Sequence, residues 1–483
     1  MFRKSLAATR TYWAEKNAIG MGNETLDHLY GVSRSGLRAM IARSGKRDSG
    51  TWMYNMEWVR DDVMVTLGLL QAGMHDEART ILTKIFEKSI GEDGRTIESS
   101  RWFGFDYTEL DQNGQVLYGT WAYACWTGDM DFVRRHWKKL ALAAEFPLHE
   151  RFRDKNPGLM HNKREFWERF DYFGVEDGYE LTYQFWVAIG LARAAELADA
   201  IGAPEGARWR GIATEITEAI LRHPKYKFIE EGHLIKRRTR DGRWQRQMIP
   251  PDRSRMPAGS PLATETESWC EPDSSNVFPI LFSMSDDARG MVDPKSELAA
   301  NTLRHVEGLW NQRWDFGGYS RYNVASEPDP PAPWPMAAMF MARAYAEAGN
   351  DEKAWQCIRW MRKMHGGASG GWFERYGPGI TPPSPPVSIV GWTWGEVVQL
   401  CVHHLFGFRP GLKELTIHPI LLSGMNSPRG VFRVRGATVE LTVARASGAA
   451  FATVDGARVS FTNGKLRVPY PAPGKTLTVH CEL

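Results

Sequence analysis

Two glutamates that lie among aromatic residues, at distant points of the chain, could carry acid–base chemistry. Glu168 lies within Glu-Phe-Trp-Glu-Arg-Phe at 165–170, and Glu374 lies within Gly-Trp-Phe-Glu-Arg-Tyr at 371–376. Aromatic neighbours solvate a carboxylate poorly, so the acid form persists to higher pH. Acetal hydrolysis requires two carboxyl groups in different environments, because one protonates the departing oxygen while the other activates water or attacks carbon. The alternative is chance, since the chain has 20 Trp and 57 acidic residues.

A group of charged side chains opens an otherwise apolar segment. Glu57, Arg60, Asp61 and Asp62 stand at the start of residues 56–72, which are apolar almost all round after their first turn. Such a segment predicts a helix buried on most sides. Charges at one end of a buried helix fit the mouth of a cavity, where an Arg–Asp pair offers hydrogen-bond donors and an acceptor to hydroxyl groups. The alternative is a set of ion pairs on the surface.

Other chemistries find little support in the sequence. The motifs HExxH, EF-hand, P-loop and GxGxxG do not occur. The five cysteines are isolated, without CxxC or CxxH pairs, which argues against a zinc knuckle or a disulfide framework. The adjacent His403 and His404 are interpreted as core or interface residues. We therefore predict no metal and no cofactor.

A basic segment at 225–247 predicts a β-hairpin with Asp241-Gly242 in its turn. Its basic side chains are Lys236, Arg237, Arg238, Arg240, Arg243 and Arg246. They could bind a polyanion, but we interpret them as a solvated hairpin face. The reason is that the whole chain is close to charge balance and only Trp244 is interleaved among them.

The composition is that of an ordinary globular protein. The chain has 483 residues, 43% of them hydrophobic, and a formal net charge of +3. This length predicts several domains or one large closed architecture, and the near balance of charge argues against nucleic-acid and membrane-surface partners. We find no apolar run long enough to span a membrane and no signal-peptide core, so we expect a soluble, cytoplasmic protein.

The elements that must position the candidate residues are mostly helical up to residue 408. Apolar helices alternate with more polar ones across short turns at Gly73, Gly128, Gly202 and Gly349. A single helical hairpin cannot bury its own apolar face, so repeated hairpins must stack. We favour a closed ring of buried helices inside an outer ring over an open solenoid, which would expose more charge on both sets of helices.

Two other kinds of segment interrupt or follow this pattern. Proline- and glycine-rich loops at 327–335 and 377–386 are long enough to border a site. From residue 409 to residue 483 the sequence alternates at period two between turn residues, which predicts a small antiparallel β domain, a sandwich. The predicted domains are therefore a mainly α toroid at 1–408 and a C-terminal β-sandwich at 409–483.

The order and spacing of these segments resemble the inverting glycosidases with an (α/α)6 toroid, closest to glycoside hydrolase family 15, the glucoamylase-like enzymes. The resemblance covers roughly residues 50–408. Five motifs carry it, in this order: Trp58-Val-Arg60-Asp61, ELDQNGQVLYG at 109–119, Phe166-Trp167-Glu168, GGYSRY at 317–322 followed by Pro-Trp-Pro, and Trp372-Phe-Glu374 before GWTWGE. The C-terminal segment, opened by FGFRPGLKELTIHPIL, is similar to that of family 78 rhamnosidases.

The resemblance implies a role for each matching residue. Glu168 would be the general acid, with Glu176 as the alternative, and Glu374 would be the general base. Arg60 and Asp61 would hold the terminal sugar. The other expected substrate-binding residues are Trp58, Trp167, Arg321, Trp334 and Trp372.

The resulting prediction is an exo-acting, inverting glycoside hydrolase, a glucoamylase-like α-glucosidase that acts on an oligosaccharide or glycoside. The alternatives are an α-L-rhamnosidase-like hydrolase, a glycoside phosphorylase of the same toroid fold, and a non-catalytic carbohydrate-binding toroid.

Overall fold

The computed structural model describes residues 2–51, 56–98, 104–252, 254, 270–282, 290–311, 317–323, 332–376 and 388–483. Within these residues the helices are α1 (Phe2–Ala14), α2 (Glu24–Ala39), α3 (Val59–Gln71), α4 (His75–Lys84), α5 (Asp111–Thr127), α6 (Met130–Glu145), α7 (Leu181–Ile201), α8 (Gly206–Arg222), α9 (Phe278–Leu281), α10 (Glu297–Val306), α11 (Pro335–Ala348), α12 (Asp351–Lys363) and α13 (Gly391–Gln399). None of them is both long and apolar enough to cross a lipid bilayer.

The helices form two concentric rings. The inner ring runs α3, α5, α7, α9, α11 and α13, and α13 packs back onto α3 to close it. The outer helices α2, α4, α6, α8, α10 and α12 each pack against the inner ring. The inner helices are buried on nearly every side, whereas the outer ones are buried on one face. The predicted closed (α/α)6 toroid is therefore confirmed.

Glycines allow the inner helices to approach one another closely. A Cβ atom added at Gly114 in α5 would lie 2.0 Å from the carbonyl oxygen of Trp186 in α7. A Cβ added at Gly68 in α3 would lie 2.7 Å from the Cα of Gly395 in α13, where the ring closes. Apolar side chains fill the remaining space, since the inner faces pack like an ordinary protein core.

The predicted hairpin turns are confirmed at their glycines. Gly128 ends α5 with a φ of 73°, and Gly202 ends α7 with a φ of 77°. Glycine adopts this left-handed conformation without steric cost, which is why it stands where an inner helix reverses into an outer one.

Short strands accompany the toroid and longer ones form the C-terminal part. The strands are β1 (Ala18–Gly20), β2 (Gly50–Thr51), β3 (His161–Asn162), β4 (Gly178–Glu180), β5 (Ile229–Glu230), β6 (His233–Leu234), β7 (Arg237–Thr239), β8 (Ile389–Val390), β9 (Phe408–Pro410), β10 (Leu415–Ile417), β11 (Arg429–Val434), β12 (Ala437–Ala444), β13 (Phe451–Val454), β14 (Ala457–Val459), β15 (Leu466–Val468) and β16 (Thr476–Glu482). β2 pairs with β8, and β4 lies between β3 and β7.

Two sheets face each other in the C-terminal part. One has the order β1-β11-β12-β16-β13-β14 and the other the order β15-β10-β9. Their inner faces meet where Phe408 stacks on Phe432 at 4.2 Å between ring centroids. The pairing differs from the antiparallel prediction at one place, because β12 and β16 are parallel. The long connection at 445–475 gives the chain room for the crossover that a parallel pair needs.

The predicted domain division at residue 408 stays a prediction. Strand β1, near the start of the chain, pairs with β11 and so completes the larger C-terminal sheet. The backbone N–H of Arg435 also donates to the carbonyl oxygen of Trp126 at the end of α5. Segments from both predicted domains therefore share hydrogen bonds.

Candidate active site

A polar cavity lies where several inner helices begin. It has a volume of about 190 Å³ and is lined by Ser49, Trp58, Arg60, Asp61, Trp167, Glu168, Arg321, Trp334, Met336, Glu374, Arg375, Val390 and Trp392. The structure thus brings together Glu168, Glu374 and all but one of the predicted substrate-binding residues.

The helix starts determine which side chains reach the cavity. Trp58 immediately precedes α3, Trp334 precedes α11 and Val390 precedes α13, each with an extended backbone. Pro335 fits the first position of α11, where its missing N–H costs no hydrogen bond. Because the N-terminal turns of these helices carry partial positive charge, the cavity favours anionic and hydroxyl oxygens.

Glu168 stands on a tight turn between strands β3 and β4, ahead of α7. The backbone of Glu168 is left-handed, with a φ of 75°. Two backbone hydrogen bonds close the turn: the N–H of Glu168 donates to the carbonyl oxygen of Glu165 at 3.0 Å, and the N–H of Glu165 donates to the carbonyl oxygen of Arg169 at 2.9 Å. A left-handed conformation in a non-glycine residue costs about 1–3 kcal/mol and persists only where its surroundings enforce it. The turn therefore holds the Glu168 carboxyl, 42% exposed, in the cavity.

The surroundings of Glu168 favour its acid form. Burial and the neighbouring Glu109 carboxylate raise the pKa of Glu168, against the opposing effect of Arg164, whose Nη2 lies 4.0 Å from its Oε2, and of Arg60. Arg60 is itself held by Glu109 at 2.8 Å and by Asp111 at 2.9 Å. A carboxyl group with a raised pKa can donate a proton nearer to neutral pH.

Glu98 is a further carboxyl group in this cluster, and no sequence pattern selects it. Both of its oxygens bind the Arg164 guanidinium, at 2.6 and 2.8 Å. Burial, with Glu109 and Glu168 nearby, nevertheless raises the pKa of Glu98 to about 9. Its sequence neighbours carry no aromatic or glycine signal, so only the fold reveals its position.

Asp61 and Asp62 are separated by the fold. Asp61 lines the cavity, and burial raises its pKa to about 6 against the effects of Arg47 and Arg60. Asp62 turns away and binds Arg47 at 2.8 Å. The predicted Arg60–Asp61 pair therefore shares the cavity, while the close ion-pair partners of Arg60 are Glu109 and Asp111.

An aromatic and cationic wall lies beside Glu168. The Arg321 guanidinium lies 4.2 Å from the ring centroid of Trp334 and 5.7 Å from that of Trp167. The indole N–H of Trp167 donates to Asp273 Oδ1 at 3.0 Å, which fixes the plane of its ring. Aromatic faces of this kind pack against the C–H faces of sugars.

Glu374 comes from another part of the ring. It lies on the segment that leads into β8 and α13, and its backbone N–H donates to the carbonyl oxygen of Ser388 at 2.6 Å. The Ser388 hydroxyl donates in turn to the carbonyl oxygen of Thr51 at 2.6 Å, which ties this segment to β2. The half-buried Glu374 side chain faces the same cavity as Glu168.

The basic hairpin corrects an interpretation made from the sequence. Its outer residues Arg240 and Arg243 are exposed, but Lys236, Arg237 and Arg238 are buried. The local sequence could not reveal that these cations are buried, because the acids that bind Lys236 and Arg237 lie in other segments of the chain.

The buried cations support the turn that carries Glu168. Lys236 Nζ binds Glu165 Oε2 at 2.5 Å and also contacts Asp273, and Arg169 Nε binds Glu165 Oε1 at 3.1 Å. Although burial opposes it, Arg169 and Lys236 hold the pKa of Glu165 well below its usual range. Both sequence neighbours of Glu168, Trp167 and Arg169, are thus anchored to one ionic network.

Two predicted residues lie away from the cavity lining. Trp372 is buried, and its indole N–H donates to the carbonyl oxygen of Met361 at 2.9 Å. Glu176, the alternative acid, is 49% exposed and binds Arg243 at 3.0 Å. Of the two predicted loops, residues 327–331 and 377–386 lie outside the described residues.

Comparison with solved structures supports the fold. A glycosidase matches with a TM-score of 0.53 at 15% identity over 78% of this chain and 96% of that one. A bacterial glucoamylase complexed with acarbose matches with a TM-score of 0.59 at 16% identity over 81% of this chain and 57% of that one. A family 78 rhamnosidase of Bacillus sp. GL1 matches with a TM-score of 0.59 at 14% identity over 97% of this chain and 44% of that one.

Comparisons by sequence give no match. No protein-family model and no curated protein matches this chain. At such low identity the structural likenesses establish the architecture alone, which is that of the (α/α)6 toroid glycosidases with a C-terminal β domain.

Proposed function

We propose that the protein is an exo-acting, inverting glycoside hydrolase in which Glu168 is the general acid and Glu374 the general base. The observation that carries the proposal is that these two glutamates, 206 positions apart in the sequence, line one cavity with different surroundings. Glu168 adjoins buried acids and arginines, whereas Glu374 comes from the segment before α13.

The proposed reaction proceeds in one displacement. Glu168 donates its proton to the glycosidic oxygen as the bond to the anomeric carbon breaks. Glu374 takes a proton from a water molecule whose oxygen attacks that carbon from the opposite face. Positive charge develops on the sugar ring in the transition state of this displacement. The two carboxyl groups must stand ~6.5–9.5 Å apart to admit the water.

The rest of the lining supports recognition of a terminal sugar. Asp61 and Arg60 offer acceptor and donor groups to hydroxyls, and Trp58, Trp167 and Trp334 offer ring faces. The cavity of about 190 Å³ lies below the ~300–1,000 Å³ common for drug-sized ligands, which favours one sugar unit over an extended chain. This is the basis for proposing exo action.

The substrate proposed first is an α-glucoside, with α-L-rhamnosides second. One solved glycosidase with this fold is a complex with glucose, and the bacterial glucoamylase holds acarbose. The rhamnosidase likeness extends over 97% of this chain, and so includes the C-terminal sheets. This wider coverage is the observation that keeps rhamnosides in the panel below.

The test is hydrolysis of a panel of α-glucosides and α-L-rhamnosides by the wild type and by Glu168→Gln, Glu374→Gln and Glu176→Gln. The first two substitutions should each lower kcat by ~10²–10⁴-fold, because each removes a positioned acid or base. Glu176→Gln should stay within a few-fold of the wild type, because Glu176 lies outside the cavity.

The alternatives give different outcomes in the same panel. Full phosphate-dependent activity in Glu374→Gln would show a phosphorylase, in which phosphate replaces the activated water. Sugar binding without release of any sugar by the wild type would show a non-catalytic toroid. A collapse of activity in Glu176→Gln, with Glu168→Gln unaffected, would contradict the assignment of the acid.

A further inference from the structure

Three residues from distant segments converge outside the cavity. His233 lies in β6, Glu271 lies on the segment before α9, and His305 lies in the last turn of α10. One ligand-type atom from each lies within 4.8 Å of the other two. The two imidazole rings are stacked with 4.0 Å between their centroids.

The Nε2 atoms of both histidines lie beside the same carboxylate oxygen of Glu271. His305 Nε2 lies 3.2 Å from Glu271 Oε2, and His233 Nε2 lies 4.0 Å from the same oxygen. The side chains of His233 and Glu271 are 7% and 4% exposed. Within the described part of the chain, His233 Nε2 is a buried nitrogen without a hydrogen-bond partner. Such an orphaned atom indicates that a group is missing from its surroundings.

We propose that His233, Glu271 and His305 form a binding site for a divalent transition-metal ion, for which Zn²⁺ is the reference ion. Zn²⁺ binds imidazole nitrogen and carboxylate oxygen at ~2.0–2.2 Å, which places tetrahedral ligand atoms ~3.3–3.6 Å apart. The 3.2 and 4.0 Å separations bracket this range. Because an imidazole binds a metal in its ring plane, the two rings, which are stacked with 25° between their planes, must rotate apart when the ion binds. Two histidines and one carboxylate are a ligand set that Zn²⁺ accepts while keeping a fourth position open.

The surroundings of the three ligands suit this role. The Oε1 atom of Glu271 accepts hydrogen bonds from the backbone N–H of Lys236 and from the indole of Trp244, which orients the carboxylate and leaves Oε2 for the ion. Burial and the adjacent His305 lower the pKa of His233, which keeps its imidazole neutral as metal ligation requires. The side chain of His305 is 26% exposed and provides the entry path.

A bound ion would reinforce the contacts that already join three segments. The backbone N–H of Leu234, beside His233, donates to the hydroxyl oxygen of Thr302 at 3.0 Å, one turn before His305. Glu271 also contacts both of the other segments, through the backbone N–H of Lys236 and through His305 Nε2. The expected consequence is higher thermal stability of the metal-loaded protein.

The experiment is titration of chelator-treated full-length protein with ZnCl₂, followed by calorimetry and thermal unfolding, and with CoCl₂, followed by visible absorption. The wild type should bind one Zn²⁺ tightly, show a higher unfolding temperature with Zn²⁺, and give the visible bands of four- or five-coordinate Co²⁺. His305→Gln should lose more affinity than the ~10–100-fold typical of an outer-shell substitution. His480→Gln is the matched control and should behave as the wild type. His480 pairs with Glu482 at 3.4 Å on strand β16, and no group of three ligand atoms among the described residues includes it.

Carbethoxylation of the wild type gives a second readout that does not depend on the folding of a variant. Zn²⁺ should protect His305 from diethyl pyrocarbonate, as detected by mass spectrometry. Absence of tight Zn²⁺ binding in the wild type, equal affinity in His305→Gln, or modification of His305 at the same rate with and without Zn²⁺ would each overturn the proposal. None of the three ligands lines the cavity, so this outcome is independent of the glycosidase test.

Discussion

At the scale of single residues, the proposed proton donation by Glu168 depends on the acids and arginines around it. Glu98, Glu109 and Glu168 present carboxyl oxygens within 4.8 Å of one another. Burial is the main cause that raises the pKa values of the three acids, and neighbouring carboxylates add to it against the opposing effect of Arg60 and Arg164. A proton in this cluster is thus retained to higher pH than it would be on an exposed glutamate.

This arrangement predicts how pH should affect the variant Glu109→Gln. The Glu109 carboxylate is one cause of the raised pKa of Glu168, so its removal should lower that pKa. A general acid must be protonated to act, so the alkaline limb of the kcat/KM profile should move to lower pH. The measurement is the profile of the variant against the wild type, with Glu176→Gln as the control whose limb stays in place. An alkaline limb that stays or moves to higher pH would refute this account of Glu168.

The same scale shows what the sequence could and could not reveal. Aromatic neighbours pointed to Glu168 and Glu374, which do line one cavity, but the resemblance also selected Trp372, which is buried outside it. The near balance of charge in the whole chain favoured a solvated face for the cations at 236–238, yet Lys236 binds Glu165 and Asp273 in the interior. Short-range patterns report the type of a side chain, whereas its partners are set by distant segments.

At the scale of secondary-structure elements, apolar periodicity was the reliable signal. It predicted buried inner helices and amphipathic outer ones, because each class has a different number of faces to bury. The Asp-Gly dipeptide predicted the turn at Asp241-Gly242, where Gly242 has a φ of 88°. The parallel pairing of β12 with β16 could not be predicted, because alternation along a strand does not specify the direction of its neighbour.

Contact between inner helices gives a prediction at this scale. Gly114→Ala would place a methyl group 2.0 Å from the Trp186 carbonyl oxygen, so α5 and α7 must separate, at a cost of about 1–3 kcal/mol or more. Gly31→Ala, in the interior of α2 with open space around it, should instead stabilise that helix by up to about 1 kcal/mol. Thermal unfolding should show a lower midpoint for the first variant and an equal or higher one for the second. A wild-type midpoint for Gly114→Ala would mean that the helices do not pack as described.

At the scale of the whole molecule, ring closure creates the cavity. Ser49 and Trp58 come from the first segment of the ring, Trp167 and Glu168 from its middle, and Glu374 and Val390 from its end. Pairing of β2 with β8 and packing of α3 on α13 bring the first and last segments together. An open solenoid of the same helices would leave Glu168 and Glu374 without a shared cavity, so the proposed chemistry depends on closure.

The most direct test of the account is the configuration of the first sugar released. Proton NMR during hydrolysis of an α-glycoside that the wild type accepts should show the β-anomer first, followed by mutarotation, because Glu374 is proposed to direct water to the face opposite the leaving oxygen. First release of the α-anomer would contradict the proposed single displacement between Glu168 and Glu374.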